Sequence, residues 1–154
     1  MIEFDENGFL KPYEIIEADL ATIEKIFVEG VPLSSTRKAI FESYLSYNEE
    51  LRKIIPTGFK QWIDGSFVTQ KRNPKDIDLV TFIDFEQYNA KEREIDKLRT
   101  ERSKRGSLVD GYFVAIYPKE HPLGNIYEIE RKKWLFQFST DKRTKNKGIL
   151  QINS

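Results

Sequence analysis

No cysteine occurs in the chain, and there is a single histidine, His121. The missing thiols exclude disulfides, thiolate zinc sites and a cysteine nucleophile, and they agree with a cytoplasmic location. Net charge is missing too. Lys+Arg and Asp+Glu number 25 each, for a formal charge of 0, so the chain is not a generally basic nucleic-acid binder, and only local patches remain open for that role. No apolar run is long enough to span a bilayer, and the acidic start Met1-Ile2-Glu3-Phe4-Asp5 has no signal-peptide pattern, so no membrane partner is expected. Internal repeats and low-complexity tracts are likewise missing. What is present suffices for a packed core: 39% hydrophobic and 13% aromatic residues in 154 positions, the size of one ordinary domain covering 1–154.

Along the chain, residues 1–16 read as an irregular arm, with a turn signal at Asn7-Gly8 and Pro12 limiting regular structure. A short helix over 19–29 places Leu20, Ile23, Ile26 and Phe27 on one face, and Gly30 and Pro32 end it. Ser34 or Ser35 caps a longer helix over 36–55, whose buried stripe is Ile40, Phe41, Tyr44, Leu45, Leu51, Ile54 and Ile55. Strands are expected over 59–64 and 76–83, separated by a polar, basic loop. Asp84 with Gln87 forms a capping box for a wet helix running to about residue 103, followed by a loop at 104–107. A third strand, "LVDGYFVAIYP", precedes a helix over 125–138 that carries Ile126, Ile129, Trp134, Leu135 and Phe138. After a basic turn, "ILQIN" reads as a short edge strand. The fold class is α+β (mixed α/β), a small mixed sheet of some four strands flanked by helices, with an N-terminal arm and two leading helices.

One stretch demands a chemical explanation: "DGSFVTQKRNPKDIDLV", residues 64–80. Side chains alternate along a strand, so Asp76 and Asp78 share a face, with Cα atoms about 6.6 Å apart at about 3.3 Å per residue. Ile77 and Leu79 face the other way, into a core. Like charges this close raise each other's pKa, and a divalent cation between them reverses the penalty; hard oxygen ligands suit Mg2+ or Mn2+. Taken alone, Asp-x-Asp is an ordinary solvated strand edge or turn cap. Three neighbours change that reading. Gly65-Ser66 ends the preceding strand, where a glycine admits a phosphate to the backbone and the serine hydroxyl can bind it. Lys71, Arg72 and Lys75 are cations suited to polyphosphate. Asp110, in "LVDGYFV", is a further carboxylate in an otherwise apolar strand, and it completes a three-carboxylate metal cluster if that strand lies beside the second.

These residues together resemble the nucleotidyltransferase superfamily related to DNA polymerase β, whose pattern is Gly-Ser, a spacer, Asp-x-Asp with apolar flanks, and a third carboxylate on a later strand. Here the pattern reads Gly65-Ser66, nine residues, Asp76-Ile77-Asp78, and Asp110. More narrowly, "FDENGFLKPY", "GFKQWIDGSFVTQKRNPKDIDLV", "VDGYFVAIYP" and "WLFQFSTDKRTKNKGILQI" resemble a family of small prokaryotic nucleotidyltransferase-like proteins over nearly the full length. The resemblance implies transfer of an NMP from an NTP, ATP first among them, to an acceptor hydroxyl. In it Asp76, Asp78 and Asp110 hold Mg2+ (or Mn2+), Asp110 also orients or deprotonates the acceptor, and Gly65, Ser66, Lys71, Arg72 and Lys75 bind the nucleotide. It further implies an acceptor that is a protein such as a cognate toxin, an RNA or a small molecule, in a toxin–antitoxin or defence module. The alternative is a catalytically inactive nucleotide-binding or partner-binding module.

Other chemically conspicuous residues have plainer readings. His121 beside Pro122 is a loop residue, Trp62 and Trp134 belong to the core or its edge, Asp84 is a helix cap, and Asp64 is a strand-end residue near the site. Lys142, Arg143, Lys145 and Lys147 form a solvated hairpin tip, with RNA phosphates as the other reading.

Overall fold

The computed structural model describes residues 2–102, 106–141, 143 and 145–154. Met1, the far end of the helix expected to reach residue 103, the first half of the loop at 104–107 and Lys142 lie outside the described residues. The chain opens with a short antiparallel pair, β1 (Glu3–Phe4) and β2 (Leu10–Lys11), then β3 (Ile15–Glu17). Helix α1 (Leu20–Glu24) starts at Asp19, whose carboxylate accepts the Thr22 N–H at 2.7 Å, and it widens into one π-helical stretch, Lys25–Glu29. Helix α2 (Arg37–Ile54) is capped from Ser34, whose Oγ accepts the N–H groups of Thr36 and Arg37. Strand β4 (Lys60–Asp64) leads through a 3-10 turn at Ser66–Val68 to β5 (Ile77–Asp84). Then come α3 (Phe85–Ala90), α4 (Glu92–Arg102), β6 (Val109–Ile116), α5 (Gly124–Ser139) and β7 (Ile149–Asn153).

Five strands form one mixed sheet in the order β3-β7-β4-β5-β6. The β5–β6 and β3–β7 pairs are parallel; β7–β4 and β4–β5 are antiparallel. Alternation along β5 divides the core in two. Ile77, Leu79 and Ile83 pack with Ile40, Phe41, Tyr44, Tyr47 and Leu51 of α2, whereas Val80 and Phe82 pack with Tyr127, Trp134 and Phe138 of α5. The architecture is therefore mixed α/β, with helices on both faces of a multi-strand sheet.

Four expectations are corrected. The arm is not irregular: β3 adds a fifth strand to the expected four, because Ile15 and Ile16 pair with Ile149 and Leu150. "ILQIN" is not an edge strand; it lies between β3 and β4, and Ile149, Leu150 and Ile152 are buried. The helix after Asp84 is broken at Lys91 (φ −117°), although Asp84 does cap it by accepting the Glu86 N–H. Finally, of the apolar residues expected on α5, Trp134 and Phe138 are buried but Ile126 and Ile129 are 55% and 68% exposed, and Tyr127, outside that set, is buried. Apolar residues encircle α5, so spacing alone does not single out its inner face.

Candidate metal centre and adjoining cleft

Asp76 stands just before β5, Asp78 is its second residue and Asp110 is the second residue of β6. The parallel register sets Asp78 directly opposite Asp110, and the antiparallel register sets Asp64, the last residue of β4, opposite Asp78. By parity all four acids share the face that carries Trp62, Val80 and Val114, the α5 side. One carboxylate oxygen from each of Asp76, Asp78 and Asp110 lies within 4.8 Å of the others, and all three residues are half-buried. Three hard oxygen donors this close form a group that can hold a divalent metal ion.

The electrostatics agree with that geometry. Burial first, then Asp76 and Asp110, push the Asp78 carboxyl up to about 7. Burial and Asp110 also raise Asp76, and Lys75 opposes the rise. Asp64 is 1% exposed; burial pushes it up to about 8 against the pull of Lys147, whose Nζ lies 3.0 Å from Oδ2. Its other oxygen, Oδ1, is buried without a hydrogen-bond partner among the described residues. The four acids thus share one rung-end of the sheet, where Lys147 makes the one salt bridge to them among the described residues and Lys75 acts on Asp76, so negative charge outweighs positive.

Gly65 explains the dipeptide that follows Asp64. Its φ is +81°, and a Cβ there would sit 2.0 Å from Asp78 Oδ2. Only glycine lets the turn pass this close to the carboxylate. Ser66 opens the 3-10 turn, and its carbonyl accepts the Thr69 hydroxyl at 2.7 Å.

Two cavities meet here. One, of about 440 Å³, is lined by Asp64, Asp78 and Asp110 together with Tyr112, Trp134 and Gln137. The other, of about 720 Å³, is bounded by the β1–β2 turn, the loop from Thr69 to Lys71, and Arg143. Gly65, Ser66, Asp141 and Lys147 line both. Tyr112 donates its hydroxyl to Asp110 Oδ2 at 3.4 Å.

The other candidate residues are distributed unevenly. Lys71 lines the larger cavity. Arg72 and Lys75 line neither; Arg72 Nε donates to the Leu33 carbonyl at 3.0 Å, which ties the loop to the start of α2. The basic turn is not merely a solvated tip: Lys147 pairs with buried Asp64, and Lys145 Nζ reaches Asn7 Oδ1 at 3.1 Å. Trp62 is fully buried and donates Nε1–H to Gln151, while Trp134 sits at the core edge and walls the smaller cavity. His121 is a loop residue, its Nδ1 accepting the Leu123 N–H.

A family of unknown function (DUF6932) matches residues 2–153. The chain belongs to that family. No curated protein and no solved structure matches it. In this DUF6932 chain the carboxylate triad was legible as a motif, but the Asp64–Lys147 pair was not. An aspartate before Gly-Ser is a weak signal, and no local pattern links it to a lysine more than eighty residues away.

Proposed function

We propose that the protein is a Mg2+-dependent (or Mn2+-dependent) nucleotidyltransferase with a DNA polymerase β-like fold, moving an NMP from an NTP to an acceptor hydroxyl. The observation that carries this reading is the convergence of Asp76, Asp78 and Asp110 beside a left-handed glycine turn, with a buried oxygen of Asp64 next to them that has no hydrogen-bond partner among the described residues. The donor set suits a hard divalent cation: all oxygen, partly buried, and with more negative charge than Lys147 and Lys75 offset. Asp76, Asp78 and Asp110 would hold it. When bound, the metal would supply charge neutralisation on the phosphate oxygens and a more acidic acceptor hydroxyl.

The chain's own groups account for the remaining steps. The Gly65 backbone and the Ser66 hydroxyl hold the phosphate chain, and Lys71 and Lys147, in the adjoining cavity, offset its charge. The acceptor oxygen attacks the α-phosphorus; its proton passes to Asp110; the bond to the bridging α,β-oxygen breaks, and pyrophosphate leaves with that electron pair. Asp110 suits this role because it lines the smaller cavity, on the edge strand β6. ATP is the first NTP to test. The acceptor is a protein such as a cognate toxin, an RNA or a small molecule, in a cytoplasmic toxin–antitoxin or defence setting.

Incubation with α-labelled NTPs, Mg2+ or Mn2+, and lysate or tRNA tests the reading. Label transferred by the wild type and lost in Asp78→Asn supports it. Tight NTP binding with no labelled product under any acceptor supports a binding module instead.

A further inference from the structure

β4 and β5 are antiparallel neighbours paired up to Asp64 and Asp78, and such a pair needs only a short turn to join it. The chain instead makes an excursion through residues 65–76, and one buried side chain gathers it. Arg37, at the start of α2, is 1% exposed. Its guanidinium donates to the carbonyls of Ser66, Phe67, Thr69 and Lys71 and, through the same Nη1 that meets Phe67, to that of Phe27. It also lies over the Phe67 ring, 5.2 Å from its centroid. The charge-bearing atoms therefore spend their donors on loop carbonyls, and no carboxylate pairs with Arg37 among the described residues. Two bonds reinforce the docking: the Ser35 N–H donates to Asn73 Oδ1 at 2.8 Å, and Arg72 Nε donates to the Leu33 carbonyl.

Burying a cation without a counter-charge is costly, and simple loops avoid it by facing water. In a trans peptide the C=O and the following N–H point in opposite directions. Carbonyls turned toward Arg37 thus turn the N–H groups that follow them away from it, and those of Val68 and Gln70 meet the Gly65 and Gly8 carbonyls, so the loop is fixed from both sides and offers the cavity its side chains. The same stretch supplies Ser66, Thr69 and Lys71 to the wall of the larger cavity, beside the carboxylate triad. Arg37 itself lines neither cavity.

We infer that Arg37 is a positioning residue: without touching substrate, it sets the conformation of residues 66–71 as a phosphate-binding wall and so governs affinity for the nucleotide's phosphate chain, not for the metal. This rests on the reading of the site as a nucleotide site.

The test compares Arg37→Lys, which keeps a cation but loses the planar fork, with wild type. Three quantities are measured: Mn2+ affinity in the absence of nucleotide, affinity for Mg2+ with a non-hydrolysable ATP analogue or inorganic triphosphate, and thermal melting. Expected is a loss of about tenfold or more in nucleotide and triphosphate affinity with Mn2+ affinity within about twofold of wild type. Asn73→Ala, at an exposed contact of the same loop, is expected to lower triphosphate affinity a few-fold in a folded protein, which keeps the inference testable if Arg37→Lys does not fold. Unchanged triphosphate affinity in the variants overturns the inference, and so does a parallel loss of Mn2+ affinity, which marks a general structural role. A wild type that binds Mn2+ but neither triphosphate nor the analogue overturns the nucleotide reading itself.

Discussion

On the α2 side of the sheet, Gln61 is buried with every neighbour matched: it accepts from Tyr44 Oη at 2.7 Å and donates to Asn48 Oδ1 at 2.9 Å and Thr81 Oγ1 at 3.1 Å. On the α5 side, three residues away along β4 and β5, Asp64 and Asp78 are crowded with Asp76 and Asp110, and Asp64 keeps an oxygen without a hydrogen-bond partner among the described residues. Both groups are polar and buried in one sheet. The first is neutral and closed, as polar groups are where they serve the fold. The second is charged and open, a cost that the fold bears and that an incoming cation relieves. These two polar groups therefore carry opposite expected effects on stability, and that contrast can be broken experimentally.

The largest effect is expected on chemistry. Asp110→Asn is predicted to lower transfer by about a hundredfold or more, comparable to removing a principal electrostatic group, measured with labelled NTP at saturating Mg2+. Next comes ligand-linked stability: Mg2+ with NTP at about 100 times Kd is predicted to stabilise the wild type by about 2.7 kcal/mol and not to do so in Asp76→Ala, as read by thermal shift. A shift of equal size in both would remove Asp76 from the site. On the other face, Gln61→Ala is predicted to destabilise by about 1–3 kcal/mol, because Tyr44, Asn48 and Thr81 lose their shared partner; urea unfolding measures it. In metal-free buffer near pH 8, Asp78→Asn is predicted to do the opposite, raising Tm by about 2–4 °C per kcal/mol gained. Opposite signs for these two substitutions would sharpen the contrast, and equal signs would abolish it.

A last test of the contrast is the pH dependence of the metal-free protein. The folded state holds the Asp78 proton up to about pH 7, whereas the ordinary carboxylate value is 3.8. Across that window the folded chain binds more protons than the unfolded chain, so stability falls as pH rises. Below the ordinary value the contribution is fully present, and above the folded value it is gone. Asp64, held up to about 8, extends the same trend to higher pH. Denaturant midpoints from pH 4 to pH 8 should show a decline that Asp78→Asn flattens.

Much of the site was legible because it is written in local periodicity. Asp76-Ile77-Asp78 alternates acid and apolar residues as a strand does, and Asp110 breaks an apolar run at the position that parallel pairing sets opposite Asp78. α2 was legible for the same reason, its stripe from Ile40 to Leu51 matching the buried face. What was missed depends on pairing across long separations. Nothing near Ile15 announces that it will lie beside Ile149, and nothing near Lys147 announces Asp64. The inner face of α5 was illegible because Ile126, Ile129 and Phe136 are as apolar as Trp134 and Phe138 yet remain exposed. Lys71, Arg72 and Lys75 look equivalent as charges in a loop, and only the docking of that loop on α2 separates the one beside a cavity from the two that are not.

The interior place of β7 has a consequence for biosynthesis. β3 joins the sheet through β7, and β7 is also the neighbour of β4. A ribosome delivering this chain would release β4, β5 and β6, with all three triad acids, well before Ile149–Asn153 emerges. Until then the flank of β4 is a bare edge, open to the wrong strand from another nascent chain, and the last insertion both seals that edge and brings Lys147 to Asp64.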